Sequence, residues 1–229
     1  MSLTVLIPCY NEHKTILEVL HNVKKNISSN DNIIVIDDGS NDGTTELLHD
    51  FSDKQVTILF HEKNKGKGNA IQTGLKSDLK DYILIQDADL EYNPAEYQNL
   101  LVPFKETNAD IVYGSRFLGG QKYSRIHYFW HYVANKLLTF VTNLFTNLNM
   151  SDMETGYKVF KKDVIKAISL KENSFGIEPE ITIKLAKKKF IFYEVPISYA
   201  GRSYEEGKKI GLKDAIRALY CIILYSFKD

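Results

Sequence analysis

The sequence is poor in the residues that build covalent or metal-bound frameworks. Of its 229 residues only two are cysteines, Cys9 and Cys221, and both lie in apolar segments. Two cysteines are too few for a disulfide framework or for a metal site built from cysteines. A reducing cytoplasm is therefore the expected compartment. The six histidines show no paired spacing for zinc, and no serine lies in a nucleophile elbow. Disulfide scaffolds, zinc proteins and serine hydrolases are therefore disfavoured.

The chain also lacks a charge imbalance and a long apolar run. Its 29 basic and 29 acidic residues cancel, so no overall field attracts nucleic acid, and a DNA-binding role is disfavoured. No apolar run approaches the roughly 20 residues that a spanning helix needs. The opening MSLTVLIPCYNE has no basic leader and soon reaches a proline and a charge, so neither a signal peptide nor a spanning segment is expected there.

Short β-branched runs alternate with helix-like stretches in the first half of the chain. Five runs predict buried strands, at 3–7, 33–36, 56–60, 82–85 and 111–113. One intervening helix is predicted to start with Pro94, and another carries an apolar face made of Ile16, Leu17, Leu20, Val23 and Ile27. This alternation predicts an α/β fold, with a mostly parallel sheet covered by helices on both faces.

After about residue 120, aromatic and amphipathic segments replace this alternation. Residues 126–150 and 211–227 are both predicted to be helices, and the first is rich in aromatic residues. Burial in the core explains the first helix as well as exposure does. The second ends in an apolar patch flanked by Lys213, Arg217 and Lys228, a pattern that favours a position at a membrane surface.

Three carboxylates follow the fourth predicted strand, in IQDADLEYNP. Ligands of parallel sheets bind at the carboxyl ends of the strands, where Asp87, Asp89 and Glu91 are placed. Neighbouring carboxylates repel one another unless a cation lies between them, and ligation by oxygen suits Mg²⁺ or Mn²⁺ held together with substrate phosphates. An isolated motif of this kind is more often a solvated turn that caps a helix. Here the apolar strand YILI in front of it favours a metal–diphosphate site.

Two further motifs follow the second and third strands. In DDGSNDGT, a tight turn before a capped helix does not require both Asp37 and Asp38, so one carboxylate is available to a base or a ribose. NKGKGN combines glycines with lysines and can meet phosphate at a helix start, although a solvated basic loop is an equal alternative. It matches neither a P-loop nor a dinucleotide fingerprint. Near the end, GRSYEEGKKIG is either plain surface or a lid that brings cations to a diphosphate.

With these motifs in order, the chain resembles the family 2 glycosyltransferases of the GT-A fold. Within them it is similar to the dolichyl-phosphate mannosyltransferase and polyprenyl-phosphate glycosyltransferase group. The likeness runs nearly end to end, through VLIPCYNE, IIVIDDGSNDGT, NKGKGNA, IQDADLEYNP, IVYGSRF, SDMETGYKVF, FGIEPEITIKLA and YEVPISYAGRSYEEGKKIG. It implies a single GT-A (Rossmann-like) domain over 1–229 with amphipathic C-terminal helices. Residues 1–115 would form the nucleotide-sugar-binding half and 116–229 the acceptor- and membrane-facing half.

The resemblance also implies roles for individual residues. The implied donor-binding residues are Pro8, Tyr10, Glu12, Ile36, Asp38, Asp87, Ala88, Asp89, Arg202 and Lys208. The implied metal ligands, for Mg²⁺ or Mn²⁺, are Asp87, Asp89 and Glu91, although many relatives have glutamine or another polar residue where this chain has Glu91. Arg116 and Lys158 would contact the acceptor, with Lys158 at a position often held by arginine. Asp89, Arg116 and Arg202 would be the catalytic residues.

The activity implied is an inverting transfer of a hexose from GDP-mannose or UDP-glucose to a polyprenyl phosphate. A phosphate acceptor is already ionised at pH 7 and requires no general base. If the acceptor were a sugar hydroxyl instead, Asp152 or Glu154 would be the candidate base. With a lipid acceptor, the chain would be a peripheral protein on the inner membrane face. Its membrane contacts would be Phe129, Trp130, Phe140, Leu219, Ile222, Ile223 and Phe227. A homodimer formed through the same surface is the alternative. A non-catalytic binding protein would be expected to lose the carboxylates or the basic loop.

Overall fold

The computed structural model describes residues 1–119, 128–202 and 211–228 of the chain. Its strands are β1 (Leu3–Cys9), β2 (Asn32–Asp37), β3 (Val56–Phe60), β4 (Tyr82–Ile85), β5 (Ile111–Ser115), β6 (Lys158–Lys161) and β7 (Phe192–Pro196). Its helices are α1 (Ile16–Lys25), α2 (Thr44–Asp50), α3 (Lys67–Gly74), α4 (Tyr97–Glu106), α5 (Phe129–Thr146), α6 (Lys162–Lys166), α7 (Ile177–Lys187) and α8 (Leu212–Phe227), with a 3₁₀ turn at Pro94–Glu96. The predicted α/β class and the five predicted strands are confirmed.

A single sheet joins both halves of the chain, in the strand order β3-β2-β1-β4-β6-β5-β7. Its neighbouring strands run parallel except at β6, which is antiparallel to both β4 and β5. The sequence analysis did not predict β6 or its direction, because KVFK is short and begins and ends with lysine. Consequently β4 and β5, which are joined through α4 in the sequence, are separated in the sheet by a strand from the second half of the chain.

Alternating side chains of the sheet supply two cores, one on each face. Val5 and Ile7 of β1 point to the face covered by α1 and α4, whereas Leu6 points to the face covered by α3, α7 and α8. In a strand that is buried on both faces, polar and apolar residues do not alternate. The continuous apolar runs in the sequence therefore predicted buried strands. The helix α1 corrects one detail of the predicted apolar face, since Leu17 is exposed and Val19 is buried in its place.

The helices α5 and α8 bury only one side each. In α8 the buried side chains include Cys221 and Ile222, so the prediction that Ile222 belongs to the exposed surface is wrong. Large apolar side chains are exposed on both helices, and the ring of Phe145 on α5 meets that of Phe227 on α8 at 5.7 Å. Among the described residues, no helix is both long and apolar enough to cross a membrane.

Candidate active site

A cavity of about 390 Å³ opens at the carboxyl ends of β1, β2 and β4. It is lined by nine of the residues predicted for the donor or the metal, namely Pro8, Tyr10, Glu12, Asp38, Asp87, Ala88, Asp89, Glu91 and Arg202. Ile36 is an exception, since its fully buried side chain belongs to the core beneath the sheet edge and does not line the cavity. Lys208 lies outside the described residues. The sheet therefore gathers most of the predicted residues around one space.

The acidic motif after β4 does not form a ring of three ligands. Asp87 and Asp89 each contact a basic side chain, Lys67 at 2.8 Å and Arg202 at 2.6 Å respectively. The Glu91 carboxylate instead accepts hydrogen bonds from the Tyr199 hydroxyl and the Arg202 backbone N–H, both at 2.6 Å. Glu91 thus holds the segment after β7 in place against the cavity.

The charge balance at Asp89 identifies what the cavity can hold. Burial, together with the nearby charges of Asp87 and Glu91, raises the pKa of Asp89 well above its usual range, and Arg202 offsets this only in part. Two carboxylates face one cavity, and the positive charge around them does not fully compensate their negative charge. Such a pair suits a divalent cation that prefers oxygen ligands. In the described part of the chain, no group of three or more acidic, histidine or cysteine side chains is arranged so that it could hold a metal ion by itself. Asp87 and Asp89 would therefore hold Mg²⁺ or Mn²⁺ together with phosphate oxygens of a substrate.

Asp37 and Asp38 tie loops to the end of β2. Asp38 accepts hydrogen bonds from the backbone N–H groups of Lys65 and Gly66, at 2.9 and 2.7 Å, and its Oδ1 lies 2.6 Å from the His61 ring. Asp37 is bound by hydroxyl groups of its own turn and of α2. Asp38 lines the cavity as predicted, but the contacts that it makes here fix the NKGKGN loop at the cavity edge.

A network of buried charges lies behind the cavity and was not predicted from the sequence. Lys67, the first residue of α3, reaches Asp87 and also lies 3.1 Å from Oε1 of Glu178, an ion-pair contact without hydrogen-bond alignment. Glu178 in turn pairs with Lys158, whose ammonium group also donates to the Thr155 carbonyl. Burial alone would lower the pKa of Lys67, but the charges of Asp87 and Glu178 raise it. The only signal in the sequence was acidic residues in the otherwise apolar FGIEPEITI.

Lys158 requires a correction. It was predicted to contact the acceptor, but the side chain is fully buried in β6 and its ammonium group is used within the protein. Such a buried pair is costly to desolvate and is retained where both charges are satisfied. Lys158 therefore supports Glu178, and through it Lys67, from below the cavity.

Arg116, after β5, lies next to the cavity rather than in its lining. Its guanidinium makes a bidentate pair with the fully buried Asp152, with both N–O distances 2.7 Å, and stacks 5.1 Å from the ring centre of Tyr199, which does line the cavity. The Asp152 carboxylate also accepts from the Arg116 backbone N–H. Asp152 is thus engaged as the partner of Arg116, and the geometry does not present it as a general base.

Glu154 occupies a different environment from Asp152. Its Oε1 is buried and has no hydrogen-bond partner among the described residues. Burial, together with the charge of Glu178, raises the pKa of Glu154 to about 7. Two residues later, Gly156 lies so close to Asp87 that a β-carbon there would collide with the carboxylate. The segment from Asp152 to Gly156 therefore passes close beside Asp87.

Two named relatives resemble this chain over most of its length. The UDP-N-acetylglucosamine–dolichyl-phosphate N-acetylglucosaminyltransferase of Methanococcus voltae is 27% identical over 239 aligned positions, which cover 96% of this chain and 94% of that protein. The dolichol-phosphate mannosyltransferase of Pyrococcus furiosus is 28% identical over 214 positions, which cover 92% of this chain and 60% of that protein.

The fold also matches a solved structure. Glucosyl-3-phosphoglycerate synthase from Mycobacterium tuberculosis, crystallised with Mn²⁺, uridine diphosphate and phosphoglyceric acid, superposes with a TM-score of 0.74 over 99% of this chain and 78% of that chain, at 15% identity. The predicted GT-A fold is thereby confirmed. The family model described as glycosyl transferase family 2 matches residues 4–169, well over half of the chain, and the protein therefore belongs to this family and is a glycosyltransferase.

Proposed function

We propose that this protein transfers a hexose from a nucleotide-diphosphate sugar, of the GDP-mannose or UDP-glucose type, to the phosphate of a polyprenol, with inversion at the anomeric carbon. The names of the two relatives support a lipid-phosphate acceptor. The observation that carries the choice is the bidentate pair between Arg116 and Asp152. The pair keeps the Arg116 guanidinium beside the cavity, which supports an anionic acceptor, and it engages the acid that would otherwise serve as a base.

The residues divide the reaction between them. Asp87 and Asp89 would hold Mg²⁺ or Mn²⁺, which supplies positive charge to the leaving diphosphate. Arg202 faces the same cavity and stabilises charge on that leaving group, while Arg116 orients the acceptor phosphate towards the opposite side of the anomeric carbon. Because a phosphate monoester has its second pKa at about 6, its oxygen is already a nucleophile at neutral pH. In this scheme residues 1–115 serve mainly the donor and residues 116–229 mainly the acceptor.

Transfer assays with a short polyprenyl phosphate test this proposal directly. The protein is incubated with Mn²⁺ and either GDP-mannose or UDP-glucose, and glycolipid product is measured by mass spectrometry. We expect product with one of these donors and inversion at its anomeric carbon. Release of nucleotide only in the presence of a sugar acceptor, with no glycolipid, would contradict a phosphate acceptor.

A sugar hydroxyl is the second candidate acceptor, and Glu154 is the observation that favours it. A carboxylate with a buried, unpartnered oxygen and a pKa of about 7 has the properties of a general base. We expect Glu154→Gln to keep its turnover with polyprenyl phosphate within about threefold of the wild type, since removing a group that takes no proton in the reaction does not raise the barrier. Activity of both proteins should fall only below about pH 6, as the acceptor phosphate takes up its second proton.

The opposite result would identify a hydroxyl acceptor. Glu154→Gln would then lower kcat by about 10²–10⁴-fold while donor affinity stayed the same. Wild-type activity would fall as the pH decreased through about 7, because protonated Glu154 cannot accept the proton of a hydroxyl. Steady-state kinetics between pH 5 and pH 9, with donor affinity measured separately by calorimetry, distinguish the two cases.

The exposed faces of α5 and α8 support a lipid surface as the place of reaction. On α5, Trp130 is 76% exposed and Phe140 is 64% exposed, and on α8 Phe227 is 76% exposed. Lys213 and Lys228, at the two ends of α8, are exposed as well. Apolar side chains flanked by cations suit the interface of an anionic bilayer. We propose peripheral attachment to the inner membrane face through this α5–α8 surface.

Vesicle binding provides the measurement for this surface. Replacing Trp130 and Phe140 together by serine should reduce co-sedimentation with vesicles containing anionic phospholipid by about tenfold or more, because each large side chain contributes about 1.5–3 kcal/mol when it is buried. Serine at Leu17 and Val102, which are exposed on α1 and α4, provides the matched control and should leave binding unchanged. If the first variant instead lowers the mass in solution from dimer to monomer, the surface is a homodimer contact.

A further inference from the structure

The two aspartates at the cavity are each occupied by a basic side chain that comes from a different side. Lys67 begins α3 and meets Asp87, whereas Arg202 follows β7 and meets Asp89. Both basic side chains line the cavity. A cation bound by the aspartates must compete with both, so these contacts belong to the binding reaction and not only to the fold.

Each basic side chain has a second carboxylate that keeps it at the cavity. Lys67 is anchored by Glu178, and the guanidinium of Arg202 lies 3.2 Å from Glu12. The Nε atom of Arg202 is buried, and it has no hydrogen-bond partner among the described residues, with Glu91 3.6 Å away. Lys67 and Arg202 can therefore release the aspartates without leaving the site. The Nε–H group of Arg202 can also donate a hydrogen bond to an incoming anion.

The charges of the cavity make a nucleoside diphosphate and a divalent cation poor ligands when each comes alone. Among the described residues, the lining includes the carboxylates of Glu12, Asp38, Asp87, Asp89 and Glu91 and two cations, Lys67 and Arg202. A diphosphate alone meets an excess of negative charge. A metal ion alone must displace the ammonium group of Lys67 and the guanidinium of Arg202, which keep Glu178 and Glu12 as partners but each lose an aspartate. When both ligands are present, the metal ion can pair with the aspartates while the diphosphate pairs with Lys67 and Arg202.

We propose that Lys67 and Arg202 are exchangeable counter-ions, which neutralise Asp87 and Asp89 in the resting site and transfer to the donor diphosphate when these aspartates bind the divalent cation. This inference rests on the proposed donor class and adds Lys67 to the donor-binding residues. No covalent bond changes, since the exchange replaces carboxylate–cation pairs by phosphate–cation pairs. Because binding couplings are reciprocal, metal and diphosphate must each strengthen the binding of the other through the same two side chains.

Binding titrations without sugar or acceptor test the exchange. Mn²⁺ affinity is measured by the paramagnetic resonance of free Mn²⁺, and GDP and UDP affinities by calorimetry with and without Mn²⁺. In Arg202→Gln we expect Mn²⁺ alone to bind about tenfold more tightly, because its competitor is gone, and the nucleoside diphosphate with saturating Mn²⁺ to bind about tenfold more weakly. Lys67→Gln should change both affinities in the same directions.

The decisive quantity is the coupling, defined as the factor by which Mn²⁺ strengthens nucleoside diphosphate binding. A fixed charge that only repels metal and attracts phosphate changes both affinities but leaves the coupling as it was, whereas exchange requires the coupling to fall, by about tenfold or more in Arg202→Gln. Arg202→Lys keeps the charge and should retain part of the coupling. Unchanged coupling in both Gln variants would overturn the proposal.

Matched controls separate this result from charge loss and from misfolding. Lys24→Gln removes a lysine paired with Asp53, and Lys161→Gln removes a lysine paired with Asp110, so both have the same net charge as the test variants. Neither should alter the coupling, and thermal melting checks that all variants fold. If glycolipid formation fails while the coupling behaves as expected, the acceptor assignment is wrong and the exchange stands. If the wild type binds neither GDP nor UDP with Mn²⁺, the exchange is overturned as well.

Discussion

Asp89→Asn is expected to lower kcat/KM about a thousandfold while leaving the melting temperature unchanged or slightly raised. Asparagine has the shape of aspartate and can still accept the backbone hydrogen bond that Glu91 donates to Oδ1 of Asp89. It removes the negative charge that pairs with Arg202 and that would help to hold the divalent cation. Stability is spared because the carboxylate is buried beside two others and its ionisation is disfavoured in the folded protein.

The measurement combines kinetics with thermal melting of the same preparations. Asp110→Asn is the matched control, since Asp110 pairs with Lys161 at the edge of the sheet opposite the cavity. Loss of this carboxylate should change kcat/KM by less than about twofold. Asp89→Asn activity within tenfold of the wild type would show that Asp89 takes no part in stabilising the leaving group. A large loss of melting temperature would show that the carboxylate is structural.

Glu178→Ala is expected to lower the free energy of unfolding by about 3–5 kcal/mol, because it leaves buried cations without their counter-charge. Lys158 is fully buried and loses Glu178, its carboxylate partner. Lys67 loses Glu178 as well but keeps Asp87, the other of its two carboxylate partners. Burial alone would raise the pKa of Glu178, but the ammonium groups of Lys158 and Lys67 lower it below its ordinary value near 4.5. The stabilisation is therefore present above that value and is lost as the pH falls below it.

Urea unfolding at pH 7.5 and at pH 4 checks both the size and the sign of this effect. The difference between wild type and Glu178→Ala should be smaller at pH 4. Glu18→Ala, in the exposed first turn of α1, is the control and should cost less than about 1 kcal/mol. The double variant Glu178→Ala with Lys158→Met should recover part of the lost stability, since it also removes the uncompensated buried charge. No recovery would mean that the loss comes from packing.

The sequence was sufficient to predict five of the seven described strands and the position of the cavity. Apolar runs such as YILI can only be buried strands, and the carboxyl ends of parallel strands meet at one edge, so Asp38 and Asp89 were placed near each other by topology alone. The contacts within that edge were beyond such reasoning. Which basic group faces which aspartate depends on the packing of α3 and β7, and neither distance is encoded in spacing along the chain.

The residues that were misplaced share a physical cause. Lys158 was assigned to the acceptor by resemblance, yet its side chain is buried, where Glu178, 20 positions later, compensates its charge. Ile36 was assigned to the nucleotide pocket by resemblance, although its side chain alternates to the core face of β2. Ile222 was read as exposed because helical periodicity does not say which of two apolar sides packs inward. Each of these errors concerned the direction in which a side chain points, and for Lys158 the strand β6 was missed as well.

The antiparallel strand β6 has a consequence for how such a protein can be altered. It lies between β4, which precedes the two aspartates, and β5, which precedes Arg116, and it follows directly on the segment that contains Asp152 and Glu154. A chimera joined at residue 115 would therefore exchange the middle of its own sheet together with the segment from Asp152 to Gly156. Under the proposed function, transferring acceptor preference between relatives would require that the hydrogen-bonding edges and the buried lysine of β6 be transferred with that segment.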